Sequence, residues 1–159
     1  MAVRRIPIVA IAVASLLTAG CGGDSKPEAA EQPRLTQREF VRQGNKVCID
    51  SDRRVYRIGS LGPNPTGWRQ TSEAAKQGIR DMLELRPPLA KQKQFDAMIA
   101  SARQLERAIT EVYKGLLADN PVKARAAQAR AVRADSIVKR QAHGLGLTFC
   151  EQLLTNWPA

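Results

Sequence analysis

The stretch at residues 95–116, FDAMIASARQLERAITEVYKGL, decides the fold class. Phe95, Met98, Ala102, Leu105, Ile109, Val112 and Leu116 recur at steps of 3, 4, 3, 4, 3 and 4. An α-helix turns once in about 3.6 residues, so this spacing gathers the apolar side chains into one stripe. A stripe sustained over about three heptads must be covered lengthwise by neighbouring helices. Between its members, Arg103, Glu106, Arg107, Glu111 and Lys114 mix charges to near neutrality. Strand-like alternation at period two occurs nowhere in the chain.

Working outward, Arg86-Pro87-Pro88 must stop whatever precedes, because a residue before proline is pushed out of helical geometry. Ala75, Ile79 and Met82, flanked by Leu83 and Leu85, predict a helix beginning near Thr71 or Ser72. The breaker-dense run from Gly59 to Gly67 predicts a loop before it. Ahead of that loop, Thr36-Gln37-Arg38-Glu39 is a capping-box sequence, and Phe40, Gly44, Val47, Ser51, Val55 and Ile58 follow on one helix face with Cys48 beside it. Downstream, Asp119-Asn120-Pro121 opens a fourth helix, whose seam is Ala124, Ala127, Ala131, Ala134 and Val138 and whose end is marked by Gly144 and Gly146. Alanines at a seam let helix axes approach closely. Thr148-Phe149-Cys150-Glu151 repeats the capping-box pattern and, with Leu153, Leu154 and Trp157, predicts a short terminal helix. The expectation is all-α: an antiparallel up-down four-helix bundle with a short C-terminal helix, spanning residues 36–159.

Residues 1–20 read as a secretory signal, with Arg4 and Arg5 ahead of an apolar run from Ile6 to Leu17. That run is too short to cross a bilayer, which needs roughly twenty residues. Arg4-Arg5 hints at twin-arginine export, but Ile6-Pro7-Ile8 does not continue that motif. Residues 21–35 are polar, carry Gly and Pro and lack an apolar period, as a flexible tether would. Leu16-Leu17-Thr18-Ala19-Gly20-Cys21 resembles the lipobox of bacterial lipoproteins, although Thr18 departs from the usual aliphatic residue. The resemblance implies that Cys21 is thioether-linked to an acylated glycerol (palmitate being a typical acyl chain) and becomes the mature N-terminus, anchored to the cell membrane outside the cytoplasm. The competing reading is an ordinary signal peptide with a chance cysteine.

With Cys21 lipidated, Cys48 and Cys150 remain, 102 positions apart. Outside the cytoplasm they are expected to form a disulfide. The other reading makes Cys150 a nucleophile with His143 as its base, but nothing supplies a third, orienting group. The chain is also similar to small actinobacterial envelope lipoproteins of largely unknown function, in the order of Phe40 with Cys48, Pro87-Pro88, and Gly146-Leu147-Thr148-Phe149-Cys150. It departs from them in the loop around Trp68 and in the tail at Leu154-Thr155-Asn156-Trp157. This resemblance implies an extracytoplasmic, lipid-anchored helical protein and carries no catalytic residues across.

The chain has 159 residues, 43% hydrophobic and 25% charged, which excludes wholesale disorder. Aromatics at 4% are sparse for a protein that stacks single-stranded bases, and a lone histidine, His143, rules out any site needing two imidazoles. No metal site, cofactor or phosphate-binding glycine loop is legible. Asp50, Asp52, Glu106 and Glu111 lie among basic residues and read as surface ion-pair partners rather than paired catalytic acids. The expectation is a protein that is not an enzyme.

Charge is the remaining functional signal. Of 25 basic residues, removing Arg4 and Arg5 leaves 23 against 15 acids, a net +8. Arg42, Lys46, Arg53 and Arg57 form a stripe on the first helix, with Asp50 at its edge. Arg125, Arg133 and Arg140 cluster opposite the alanine seam of the fourth, with Lys123, Arg130 and Lys139 to the sides and Asp135 as the sole acid between Pro121 and His143. If those helices were neighbours, their outer faces could merge into one positive surface. Export excludes nucleic acid, so the partner would be an anionic lipid, an envelope polymer or a partner protein; the bland reading is a solvated face. Trp68 and Trp157 are either anchors for such a partner or packed against the bundle. An alternative function is binding of a small apolar ligand in a pocket between helices, lined by residues such as Met82, Phe95 and Met98.

Overall fold

The structure, a computed structural model, describes residues 33–59 and 61–152. The signal peptide, Cys21, most of the tether, Leu153, Leu154 and Trp157 lie outside the described residues. The fold is all-α, with α1 at Gln37–Tyr56, α2 at Pro65–Leu83, α3 at Gln92–Leu117 and α4 at Pro121–Leu145. Two short 3-10 segments, Leu89–Lys91 and Thr148–Gln152, complete it, and no strand occurs among the described residues.

The helices α1, α2 and α4 start where a side chain accepts an N–H of the first turn, whereas α3 follows directly on the 3-10 segment Leu89–Lys91 without a side-chain cap. At α1 the capping box forms: the Glu39 N–H donates to Thr36 Oγ1 at 3.3 Å, and Glu39 Oε2 accepts the Thr36 N–H at 2.9 Å. The helix α2 begins at Pro65, six residues before the start expected from its apolar spacing. The cause is Asn64, whose Oδ1 accepts the Thr66 N–H at 2.9 Å, with proline preset at the first helical position. The same Asn-Pro pair opens α4, where Asn120 Oδ1 accepts from Lys123. Gly144 does not end α4; the helix continues to Leu145 and stops at Gly146, which takes φ 81°. The terminal segment differs from the expected capped helix as well. Glu151 turns to His143 Nδ1 at 2.9 Å instead of reaching back, and the Phe149 N–H finds Asn45 Oδ1 on α1 at 3.1 Å. Tertiary partners therefore replace the local cap, and the segment closes as 3-10.

The long helix α3 packs against both α4 and α2, while α1 packs on α2. The 3-10 segment at Thr148–Gln152 bridges α4 and α1, and its Cys150 forms the disulfide with Cys48, their Cα atoms 5.1 Å apart. Arg34 and Leu35, placed in the tether by composition, belong to the folded part. The Leu35 N–H donates to the Arg86 carbonyl at 2.9 Å and Arg34 to the Pro87 carbonyl at 3.1 Å, so the chain entering α1 is stitched to the Pro-Pro turn.

The buried side chains fall into two clusters. One gathers Phe40, Cys48, Met82, Phe95, Met98, Val138 and Leu147, with the Phe40 and Phe95 rings edge-to-face at 5.7 Å. The other gathers Trp68, Leu105, Ile109 and Val112 against Ala127, Ala131 and Ala134. Trp68 is 1% exposed and donates its indole N–H to the Gly62 carbonyl at 2.9 Å, so it packs within the fold. The expected seam of α4 is buried throughout; that of α3 is buried except at Ala102 and Leu116, which are half-buried, and Ile99 and Ala108 bury beside it; Cys48, expected beside the α1 face, lies within it.

Candidate functional site

Between the two clusters the bundle does not fill completely. Among the residues lining this level, Ala74, Ala75 and Gly78 of α2 and Ala102 of α3 are small. Small residues here leave a cavity of ≈ 110 Å³, walled by Val47, Ser51 and Val55 from α1 and by Met82, Met98, Leu105 and Ile109 from α2 and α3. The disulfide pair Cys48 and Cys150 borders it too. Met82 and Met98 were expected to line such a pocket and do so. Phe95 was expected there as well but is not among the lining residues; its ring is engaged with Phe40 in the first cluster.

One ionisable side chain lines this apolar space, Asp135 of α4. Its side chain is 8% exposed, and Lys139, one turn along, places Nζ 2.8 Å from Oδ2. Burial pushes the Asp135 carboxyl above the ordinary aspartate range, and the hydrogen bond and charge of Lys139 oppose this only in part. The other polar lining groups have partners: the Thr71 hydroxyl donates to the Gly67 carbonyl at 2.9 Å, and Ser51 Oγ accepts from Arg54 at 3.2 Å. Asp135 was noted in the sequence only as a lone acid among basic residues. The missed signal was its register: it stands four residues after Ala131 and three before Val138, on the buried stripe itself.

The sign of the Asp135 shift gives a measurable pH dependence. A carboxyl whose folded value lies above its unfolded one favours folding while protonated, so its contribution is complete below the ordinary value of 3.8 and is lost as pH rises through the raised one. Asp135→Asn lacks this titration. The unfolding free energy of the native chain minus that of Asp135→Asn is expected to fall as pH rises above the ordinary range, measured by urea titration at pH 3.5, 5 and 7. A difference that rises instead would mean that Lys139 dominates burial.

The basic residues singled out in sequence, Arg42, Lys46, Arg53 and Arg57 on and just after α1 and Arg125, Arg130, Arg133 and Arg140 on α4, are all exposed. Their surroundings differ. On α1, Asp50 takes Lys46 at 2.6 Å and Arg53 at 3.7 Å, and Arg57 caps the helix end by donating to the Arg53 carbonyl. These contacts hold Asp50 below the ordinary carboxylate range, chiefly through the Lys46 hydrogen bond. On α4, Arg125, Arg133 and Arg140 make no ion pair among the described residues. The closest backbone approach of α1 is to α2, and α1 meets α4 through side chains, where Phe40 and Cys48 pack with Val138, Ala142 and Leu145 and the Gln37 amide donates to the Leu145 carbonyl at 3.3 Å.

One sequence expectation about the acids changes, and the lone histidine gains a partner. Glu106 is not a surface residue: with 14% side-chain exposure it accepts from the Thr110 hydroxyl at 2.8 Å and Ser72 at 3.0 Å, inside a polar contact between α2 and α3. His143 meets Glu151, but at 77% exposure the pair lies on the surface, and Cys150 beside it is committed to the disulfide. No helix among the described residues is long and apolar enough to cross a membrane. No family model, curated protein or solved structure matches the chain.

Proposed function

We propose that this chain is a non-enzymatic, lipid-anchored protein of the cell envelope, exported by residues 1–20, held to membrane lipid through Cys21, built as an antiparallel up-down four-helix bundle and acting by binding. The reading best supported by geometry is capture of a small apolar ligand in the interhelical cavity. The observation that carries it is an apolar space of ≈ 110 Å³ at the level where α1 to α4 all contribute lining residues. An apolar cavity of about 150 Å³ lined by Leu, Ile and Phe is known to stay dry and accept benzene, so this one is of ligand-binding size. The test uses the full chain with methyl-labelled methionine, since two of its three methionines, Met82 and Met98, line the cavity. Benzene is expected to shift both methyl resonances and raise the unfolding temperature, and Ala102→Leu, which fills the space, to abolish both effects. Unmoved Met82 and Met98 signals up to the solubility of benzene would overturn the reading.

A second reading, contact with an anionic lipid, envelope polymer or acidic partner protein, is favoured by Arg125, Arg133 and Arg140 on the exposed side of α4, which make no ion pair among the described residues. Each basic residue close to an anionic surface contributes about 1 kcal/mol, which would reinforce a lipid anchor. Flotation of the unlipidated Cys21→Ser chain with anionic and neutral liposomes is expected to show anionic-selective binding that weakens with salt. Binding that ignores salt, or no binding, would sink it.

A further inference from the structure

The geometry points to a neutral, hydroxyl-bearing molecule of about five or six non-hydrogen atoms, a small alcohol, as the occupant of the interhelical cavity, its hydroxyl donating to Asp135. This rests on the reading of the cavity as a ligand site and adds the chemistry of the ligand. The walls are hydrocarbon and sulfur, so most of the ligand must be apolar. Thr71 and Ser51 are already engaged with Gly67 and Arg54, which leaves the Asp135 carboxylate as the strongest acceptor on the wall. Lys139 pairs with Oδ2, and a carboxylate has a second oxygen to offer.

Four kinds of head group can be compared at this wall. A purely apolar or ether-bearing molecule gains burial but covers the carboxylate without giving it a donor, and an unserved buried acceptor is penalised. A carboxylate head brings like charge against Asp135 into an apolar space. An ammonium head meets an acid that Lys139 already neutralises, so its own charge is buried unbalanced. A neutral hydroxyl donates one hydrogen bond and adds no charge.

Four probes of matched length, 1-butanol, methyl propyl ether, butylammonium and butyrate, are titrated into the methionine-labelled full chain alongside benzene. Butanol is expected to shift the Met82 and Met98 methyls at about tenfold lower concentration than the ether, with both charged probes weaker than butanol. Asp135→Leu removes both the acceptor and the penalty for covering it, and is expected to weaken butanol and strengthen the ether until the two bind alike. Should that variant not fold, Asp135→Asn, which keeps the shape and a weaker acceptor, is expected to cut the preference to about threefold. Equal binding of butanol and ether with benzene still bound, or butylammonium outranking butanol, overturns the assignment of the ligand and leaves the cavity reading standing. Failure of every probe, benzene included, overturns both.

Discussion

Replacing Cys48 and Cys150 together by alanine is expected to lower the unfolding free energy by roughly 4–5 kcal/mol. The two residues are 102 positions apart, so their bond removes the loop-closure entropy of the unfolded chain between α1 and the last described segment. Typical domains are stable by only about 5–15 kcal/mol, so the loss takes roughly a quarter of the total or more. Other ties hold the same segment in place: Phe149 to Asn45, Glu151 to His143, and Leu147 buried in the first cluster. The folded state should therefore persist as a helical protein with a sharply lower urea midpoint. Both sulfurs are buried, so reductant acting on the native chain should reach them slowly and only after partial opening. Both also border the cavity, and their removal should perturb the Met82 and Met98 methyls even at urea concentrations where the variant is folded. A loss below 1 kcal/mol would mean that the bond does not close this loop in the native protein.

Helix existence was legible because α3 and α4 bury long, regular stripes, and a stripe of that length has one structural solution. What sequence reasoning misplaced were features decided by partners far away or by volume left empty. The start of α2 was a local error: Asn64-Pro65 carries the same signature as Asn120-Pro121, but the glycines around it were read as a loop. The Thr148 pattern failed for a different reason, because Asn45 and His143 outcompete the local cap, and neither is visible from residues 148–151. The disulfide was legible from cysteine arithmetic once Cys21 was set aside. The cavity was only half legible. Its methionines could be guessed from helix register, but its existence depends on Ala75, Gly78 and Ala102 reaching the same level of the bundle, which is a property of packing and not of spacing. Asp135 was readable in principle, since an acid at seam spacing must be buried, and burial of a charge is the kind of expense that marks a site.

The second large effect concerns how α3 and α4 come together. Gly115 lies near the end of α3, and a Cβ there would sit 2.8 Å from the backbone nitrogen of Ala124 and 2.9 Å from its Cα. These are main-chain atoms of α4, so no side-chain rotation relieves the overlap; the helices must separate. Their separation would loosen the Ala124, Ala127, Ala131 and Ala134 seam, which packs closely because both sides are small. It would also strain the turn, where the Asn120 N–H donates to the Gly115 carbonyl at 2.8 Å and Asp119 takes φ 49°. Overpacking costs about 1–3 kcal/mol, and with backbone on both sides Gly115→Ala belongs at the upper end. The higher helix propensity of alanine returns about 1 kcal/mol, leaving a net loss of about 2 kcal/mol. Two other glycines calibrate this. At Gly44 the nearest atom, 2.6 Å away, is the Cδ2 of Leu147, the end of a flexible side chain, so Gly44→Ala should cost less. At Gly144 a Cβ meets nothing within 4 Å, and alanine there should stabilise the chain by about 0.5–1 kcal/mol. Urea unfolding of the three variants should rank them Gly144→Ala, Gly44→Ala, Gly115→Ala in falling stability. If Gly115→Ala proves no worse than Gly44→Ala, close approach of the α3 and α4 backbones is not what sets their pairing, and the alanine seam would have to do so alone.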